Sequence, residues 1–165
     1  MASVILGGNP VETLGDLPKI GSIAPDFKLV AVNLSKQNMA DYKGSNLILN
    51  IFPSIDTATC AQSVREFNKE AAGMNNTKVL CISRDLPFAQ ARFCGAEGIE
   101  NVVMLSDFKD GNFGKAYGLE FKTGAFEGLH SRCIIVLDQN GVVKYTEQVQ
   151  DTSNEPNYKA ALKTL

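Results

Sequence analysis

Short apolar runs are separated by helix-like patterns along the chain. Four runs contain few polar residues, and runs of this kind are typical of central strands buried on both faces of a sheet. They span residues 47–52, 78–83, 102–105 and 133–137. Residues 27–32 alternate weakly between apolar and polar side chains and predict a further strand.

Turn signals predict two hairpins. Residues 4–6 and 11–14 flank the sequence Gly-Gly-Asn-Pro, which predicts an antiparallel hairpin at the N-terminus. Residues 142–149 alternate after Asn140-Gly141, a dipeptide that favours a tight turn. This last strand is therefore expected to pair with the run at 133–137.

Helical periodicity fills the segments between the strands. Four helices are predicted. The first follows Cys60 and can end at Gly73, and the second spans 86–93 with Asp85 as N-cap. The other two span 112–117 and 156–165. The first of these carries apolar residues at helical spacing, namely Ala61, Val64, Phe67 and Ala71. The order of elements predicts an α/β sandwich in which helices flank a mixed central sheet.

Length and composition indicate one ordinary globular domain. The 165 residues are 44% hydrophobic and 21% charged, so we expect a single domain over residues 1–165. The net charge of −2 and the lack of a basic block disfavour nucleic-acid binding. The N-terminus lacks the basic region of a signal peptide, and no run of 18 apolar residues occurs. These observations predict a cytoplasmic protein that does not span a membrane.

The cysteines are Cys60, Cys81, Cys94 and Cys133, and none of them forms a Cys-x-x-Cys pair. The single histidine, His130, has no neighbouring histidine at metal-ligand spacing, so a metal site is disfavoured. A reducing cytoplasm disfavours a structural disulfide framework. Inert buried thiols and transient redox chemistry both remain open.

Cys60 occupies a position that favours thiol chemistry. A predicted buried strand ends at Pro53, a polar turn follows, and Thr57 lies three residues before Cys60 at the start of a predicted helix. Free backbone N–H groups and the helix dipole stabilise a thiolate there, and the thiolate is the reactive form. Taken singly, Pro53 as a strand end and Thr57 as a cap or turn residue have purely structural interpretations.

The combined pattern resembles a known family. Residues 53–60 match the peroxiredoxin pattern Pro-x-x-x-Thr-x-x-Cys, and the segments around 79–90 and 92–98 are similar to the bacterial thiol peroxidases, which are atypical two-cysteine peroxiredoxins. The resemblance covers nearly the whole chain. It implies a thioredoxin-like fold and an antioxidant peroxidase that reduces hydrogen peroxide and organic or lipid hydroperoxides without a cofactor. It also implies thioredoxin as the reductant and a homodimer.

The resemblance implies a role for each matching residue. Cys60 would be the peroxidatic cysteine, and Cys94 the resolving cysteine that forms an intramolecular Cys60–Cys94 disulfide. Thr57 would hydrogen-bond the thiolate and the peroxide, Pro53 would shield the pocket, and Arg132 would be the active-site arginine. Arginine suits this role because it stays charged and offers several donors, although a surface ion pair is its common structural role.

The need for a second redox-active thiol has a chemical reason. A sulfenic acid left unresolved is open to irreversible oxidation, which capture by Cys94 would prevent. Because a disulfide needs Cα atoms within about 7 Å, we predict local unwinding near Cys60 or Cys94 during resolution. A redox sensor that passes oxidation to a partner would use the same pair. A thiol–disulfide oxidoreductase is disfavoured, since Thr57 stands where such proteins place a second cysteine.

The remaining cysteines, the histidine and several aromatic residues are expected to have structural roles. Cys81 is predicted to be a buried inert thiol, and Cys133 to point away from Arg132. His130 is predicted to be a solvated loop residue. Four aromatic residues are expected in the core rather than as a substrate pocket, namely Phe52, Phe88, Phe93 and Tyr117. Ala58-Thr59 stands where thiol peroxidases usually have Pro-Val, which predicts a different pocket wall.

Overall fold

The computed structural model describes residues 1–165, which form nine strands and four α-helices. The strands are β1 Ser3–Leu6, β2 Asn9–Glu12, β3 Leu29–Ala31, β4 Lys36–Gln37, β5 Asn46–Ile51, β6 Thr77–Ser83, β7 Val103–Ser106, β8 Cys133–Leu137 and β9 Val143–Gln148. The helices are α1 Ala58–Ala71, α2 Pro87–Glu97, α3 Asn112–Ala116 and α4 Tyr158–Leu162. None of the helices has the length and apolar composition needed to cross a membrane.

Seven strands form one mixed sheet in the order β4-β3-β7-β6-β5-β8-β9, and β1 and β2 form a separate antiparallel hairpin. In the middle of the sheet, β5 pairs in parallel with β6 and antiparallel with β8. The predicted mixed sheet, N-terminal hairpin and terminal β8–β9 pairing are confirmed. The strand β4 and a 3-10 helix at Met39–Tyr42 were not predicted, because both are too short to show a hydrophobic period.

The sheet is covered on both faces, as its apolar strands predict. Side chains alternate across β5, so that Leu47, Leu49 and Ile51 join one core cluster while Ile48 joins the other. The second cluster also holds Cys60, and it lies beneath α1 and α4. This cluster is the core that supports the candidate site.

Helix α1 begins directly after the loop that follows β5. Thr57 occupies the N-cap position in extended conformation, and the helix buries one face that includes Cys60, Val64 and Phe67. The spacing of these residues places them on one side of a 3.6-residue helix, which packs on the sheet. The helix ends at Ala71, two residues before the predicted end at Gly73.

Candidate active site

Cys60 lies in the first turn of α1, fully buried, at the point where the loop after β5 enters the helix. This placement agrees with the one predicted from the sequence. The first backbone N–H groups of a helix have no intrahelical partner, and their dipoles favour negative charge nearby. The position therefore places partial positive charge close to the sulfur.

Arg132 is the cationic partner of this sulfur. It directly precedes β8 and is only 3% exposed. Its Nη1 and Nη2 atoms each lie 3.5 Å from the Cys60 Sγ. Its Nε and Nη2 atoms donate to the carbonyl oxygen of Thr152 at 3.1 and 2.8 Å. One edge of the guanidinium is thus held by a carbonyl, and a second edge faces the sulfur.

Pro53 and Thr57 lie in the wall of a cleft of about 220 Å³ that also includes Arg132 and Thr152. Pro53 is buried, and the Thr57 hydroxyl donates to the Ser54 carbonyl oxygen at 3.0 Å. The structure therefore brings Pro53, Thr57 and Arg132 together beside Cys60. The predicted hydrogen bond from Thr57 to the sulfur is replaced by this turn contact in the resting structure.

The loop before α1 is held by Asp85, which the sequence suggested only as a helix cap. Its carboxylate accepts hydrogen bonds from the Ser54 hydroxyl at 2.7 Å, the Ile55 amide at 2.7 Å and the Ser83 hydroxyl at 2.6 Å. The N-cap of α2 is Leu86 instead, so the capping prediction for Asp85 was wrong. The Asp85 carboxylate binds this loop instead of capping α2, because the loop folds against the end of β6. Only the tertiary structure creates that contact.

Cys94 lies on α2 and is half-buried against the core cluster that contains Cys60. All four cysteines are free thiols in this structure, and burial raises the pKa of Cys94 above its ordinary value. The Cys94 carbonyl still accepts hydrogen bonds from Gly98 and Ile99, so its helical turn is intact. The Cys60–Cys94 pairing therefore stays a prediction.

Two exposed ion pairs join the elements that carry these thiols. Arg65 on α1 donates to both carboxylate oxygens of Glu97 at 3.1 and 2.9 Å, and Arg92 on α2 pairs with Asp56 at 3.0 Å. Pairs of this kind contribute little to stability, because water screens them. They connect α1 and its loop to the helix of Cys94 but hold them weakly.

Cys81 and Cys133 are fully buried, on opposite faces of the sheet. Burial raises the pKa of each to about 12. Cys133 packs in the cluster away from Cys60, so the prediction that it points away from Arg132 is confirmed. A thiol with so high a pKa is a poor nucleophile at neutral pH.

His130 differs from its prediction. It is fully buried, and its Nε2 lies 2.9 Å from Asp107 Oδ2, so the prediction of a solvated loop residue was wrong. Asp107 also accepts hydrogen bonds from the Phe113 and Gly114 amides at 3.2 and 3.0 Å. The loop that carries His130 packs beneath α3, a contact distant in sequence that residue patterns do not reveal.

The aromatic residues are divided between core and surface. Phe52 and Tyr117 are fully buried, whereas Phe93 is half-buried and Phe88 is 67% exposed. The core prediction was therefore wrong for Phe88, which lies in the exposed first turn of α2. Tyr117 belongs to the cluster on the sheet face opposite Cys60.

Comparisons with known proteins agree with this arrangement. A sequence model of the Redoxin family matches residues 19–162. A thiol peroxidase from Corynebacterium glutamicum is 48% identical, and one from Mycobacterium bovis is 49% identical; both alignments cover 100% of this chain and 99% of the relative.

Solved structures show the same architecture. A peroxiredoxin-like protein from Aquifex aeolicus superposes with a TM-score of 0.92 at 36% identity, over 98% of this chain and 95% of its own. A thiol peroxidase from Chromobacterium violaceum has the same fold, with a TM-score of 0.90 at 24% identity over 98% and 93% of the two chains. The chain therefore belongs to the Redoxin family, in which it is a peroxidase of the peroxiredoxin group with a thioredoxin-like fold.

Proposed function

We propose that the protein reduces hydroperoxides by a two-cysteine mechanism in which Cys60 reacts first and Cys94 resolves the product. The observation that carries the proposal is the contact of two guanidinium nitrogens of Arg132 with the Cys60 Sγ, both at 3.5 Å, in the first turn of a helix. A buried arginine and a helix N-terminus both stabilise negative charge on the same sulfur.

The first step takes place in the cleft beside Cys60. The thiolate attacks the terminal oxygen of the hydroperoxide, an S–O bond forms and the O–O bond breaks. The electron pair leaves with the second oxygen, which takes a proton from water, and Cys60 becomes a sulfenic acid.

Arg132 has a donor available for this step. Nε and both N–H groups of Nη2 are used by Thr152 and Cys60, and one N–H of Nη1 is used by Cys60. The second N–H of Nη1 is thus available to a peroxide oxygen. The Thr57 hydroxyl in the cleft wall turns from Ser54 to the substrate, and Pro53 keeps water from the sulfur.

The second step joins the two thiols. The Cys94 sulfur attacks the Cys60 sulfur, an S–S bond forms, the S–O bond breaks and the oxygen leaves as water. Cys94 is half-buried in an intact helical turn, and burial raises its pKa, so local unwinding of α2 would expose the thiol and let it ionise. The weak ion pairs of Arg65 and Arg92 allow this opening.

The overall cycle follows from these steps. Thioredoxin, itself a dithiol, reduces the Cys60–Cys94 disulfide and restores both thiols. Hydrogen peroxide and organic or lipid hydroperoxides are the substrates; Leu6 and Phe126 add apolar surface to the cleft, which supports an alkyl group next to the peroxide. We assign the protein to antioxidant defence in the cytoplasm, as a homodimer.

Mass spectrometry after one equivalent of hydroperoxide tests the mechanism. We expect the wild type to lose the mass of two hydrogens in a Cys60–Cys94 bridge, and Cys94→Ser to gain one oxygen on Cys60. Cys81→Ala is the matched control, because its buried thiol has a pKa near 12 and should leave the bridge unchanged. Oxygen on Cys81 or Cys133, or a wild type that stays reduced, would show that the roles are wrong.

A further inference from the structure

Thr152 connects the catalytic arginine to the N-terminal hairpin. Its carbonyl oxygen accepts two hydrogen bonds from Arg132, and its amide donates to the Ile5 carbonyl oxygen of β1 at 2.9 Å. The residue is 5% exposed and belongs to the wall of the cleft beside Cys60. No sequence pattern pointed to it, since it lies in an irregular segment after β9.

The Thr152 hydroxyl is buried and has no hydrogen-bond partner. A buried hydroxyl without a partner is costly, and native proteins rarely leave one unpaired. This hydroxyl belongs to the residue that orients Arg132, in a cleft whose substrate is a peroxide with two oxygen atoms. Rotation of the Thr152 side chain toward the cleft would let a bound ligand give the hydroxyl the partner that the protein does not provide.

The first turn of α1 is fastened to the same segment. The Thr59 hydroxyl donates to the Ser153 carbonyl oxygen at 3.1 Å. Thr59 is one of the two positions at which the sequence departs from the usual Pro-Val, and a valine could not make this bond. The departure therefore holds the segment of Thr152 against the helix start that carries Cys60.

We propose that Thr152 is a further catalytic residue whose hydroxyl donates a hydrogen bond to an oxygen of the bound hydroperoxide. The inference rests on the proposed reaction at Cys60. As the S–O bond forms and the O–O bond breaks, negative charge grows on the departing oxygen, and the hydroxyl stabilises this charge before water supplies the proton. A donor placed where charge develops accelerates the step, because its hydrogen bond is stronger in the transition state than in the bound substrate.

The test compares Thr152→Val with Thr152→Ser in the full chain. Valine has the shape of threonine without the hydroxyl, and the backbone carbonyl that orients Arg132 remains. Two rates are measured at one pH: oxidation of Cys60 by cumene hydroperoxide, and alkylation of Cys60 by iodoacetamide, which needs the thiolate but no peroxide contact. Thr146→Val on β9 is the matched control, because it makes the same chemical change outside the cleft.

For Thr152→Val we expect oxidation to fall roughly 10- to 100-fold, the loss of one hydrogen bond to a charged group. Alkylation should stay near the wild-type rate, and Thr152→Ser should restore oxidation. Oxidation of Thr152→Val at the wild-type rate overturns the proposal. Equal losses in both rates also overturn it, since they place the effect on the sulfur or Arg132. A wild type that does not oxidise at Cys60 instead overturns the proposed function itself.

Discussion

Replacement of Arg132 by methionine tests the central contact of the site. Methionine keeps much of the side-chain volume but removes both N–H contacts to the Cys60 Sγ and the positive charge. The Thr152 carbonyl loses its two donors as well. We expect the variant to fold but to react slowly with peroxide, because the sulfur of the proposed reaction no longer faces a cation.

The magnitude follows from the two contacts. A hydrogen bond to a charged group contributes roughly 1.5–3 kcal/mol. Both N···S distances are 3.5 Å, long enough that we take the lower value for each. Two bonds then give about 3 kcal/mol, which corresponds to a rate loss of about 150-fold.

The assay follows the loss of the Cys60 thiol in a single turnover. The chain contains no tryptophan, so we would quench the reaction with an alkylating agent and count the modified sites by mass spectrometry. Arg92→Met is the control, because it removes an exposed guanidinium that pairs with Asp56 in the loop before α1 without touching the sulfur. A rate for Arg132→Met within threefold of the wild type would refute the reasoning.

Three further predictions concern a pH dependence and two substitutions outside the contact of Arg132 with Cys60. Burial raises the pKa of Cys81 and Cys133 to about 12, so these thiols ionise in the unfolded chain before they ionise in the folded chain. The free energy of unfolding should therefore fall above about pH 9, by about 1.4 kcal/mol per pH unit for each thiol. Urea unfolding of the wild type and of the double alanine variant measures this slope. Asp85→Asn should lower the free energy of unfolding by about 1–3 kcal/mol in urea, and should slow Cys60 oxidation because the loop loosens. Gly114→Ala should lower it by about 1–3 kcal/mol with oxidation unchanged, because its Cβ would lie 2.8 Å from the His130 ring.

Each of these predictions has a clear contrary result. Equal alkaline slopes in the wild type and the double variant would show that the two thiols ionise alike in both states. An Asp85→Asn variant with unchanged oxidation would separate the loop contact from catalysis. A Gly114→Ala variant that is as stable as the wild type would mean that α3 yields without disturbing the His130–Asp107 pair.

The sequence by itself determined the sheet and the position of Cys60 at the start of a helix. Apolar runs predicted β5, β6 and β8, since strands buried on both faces need continuous apolar residues. The strand, turn and helix around Cys60 are local in sequence, so the first-turn position of the thiol could be read directly. Alternation at the start of β8 likewise predicted that Cys133 points away from Arg132, the residue just before the strand.

Only the tertiary structure decided which distant polar groups meet. The contacts of Thr152 with Arg132, of Asp85 with the loop before α1, and of His130 with Asp107 join segments that share no local pattern. Hydrogen bonds between such segments depend on how the chain closes around the sheet, because a polar side chain takes whichever buried partner the packing provides. Local periodicity records which face of an element is buried, and it carries no information on which residue lies opposite.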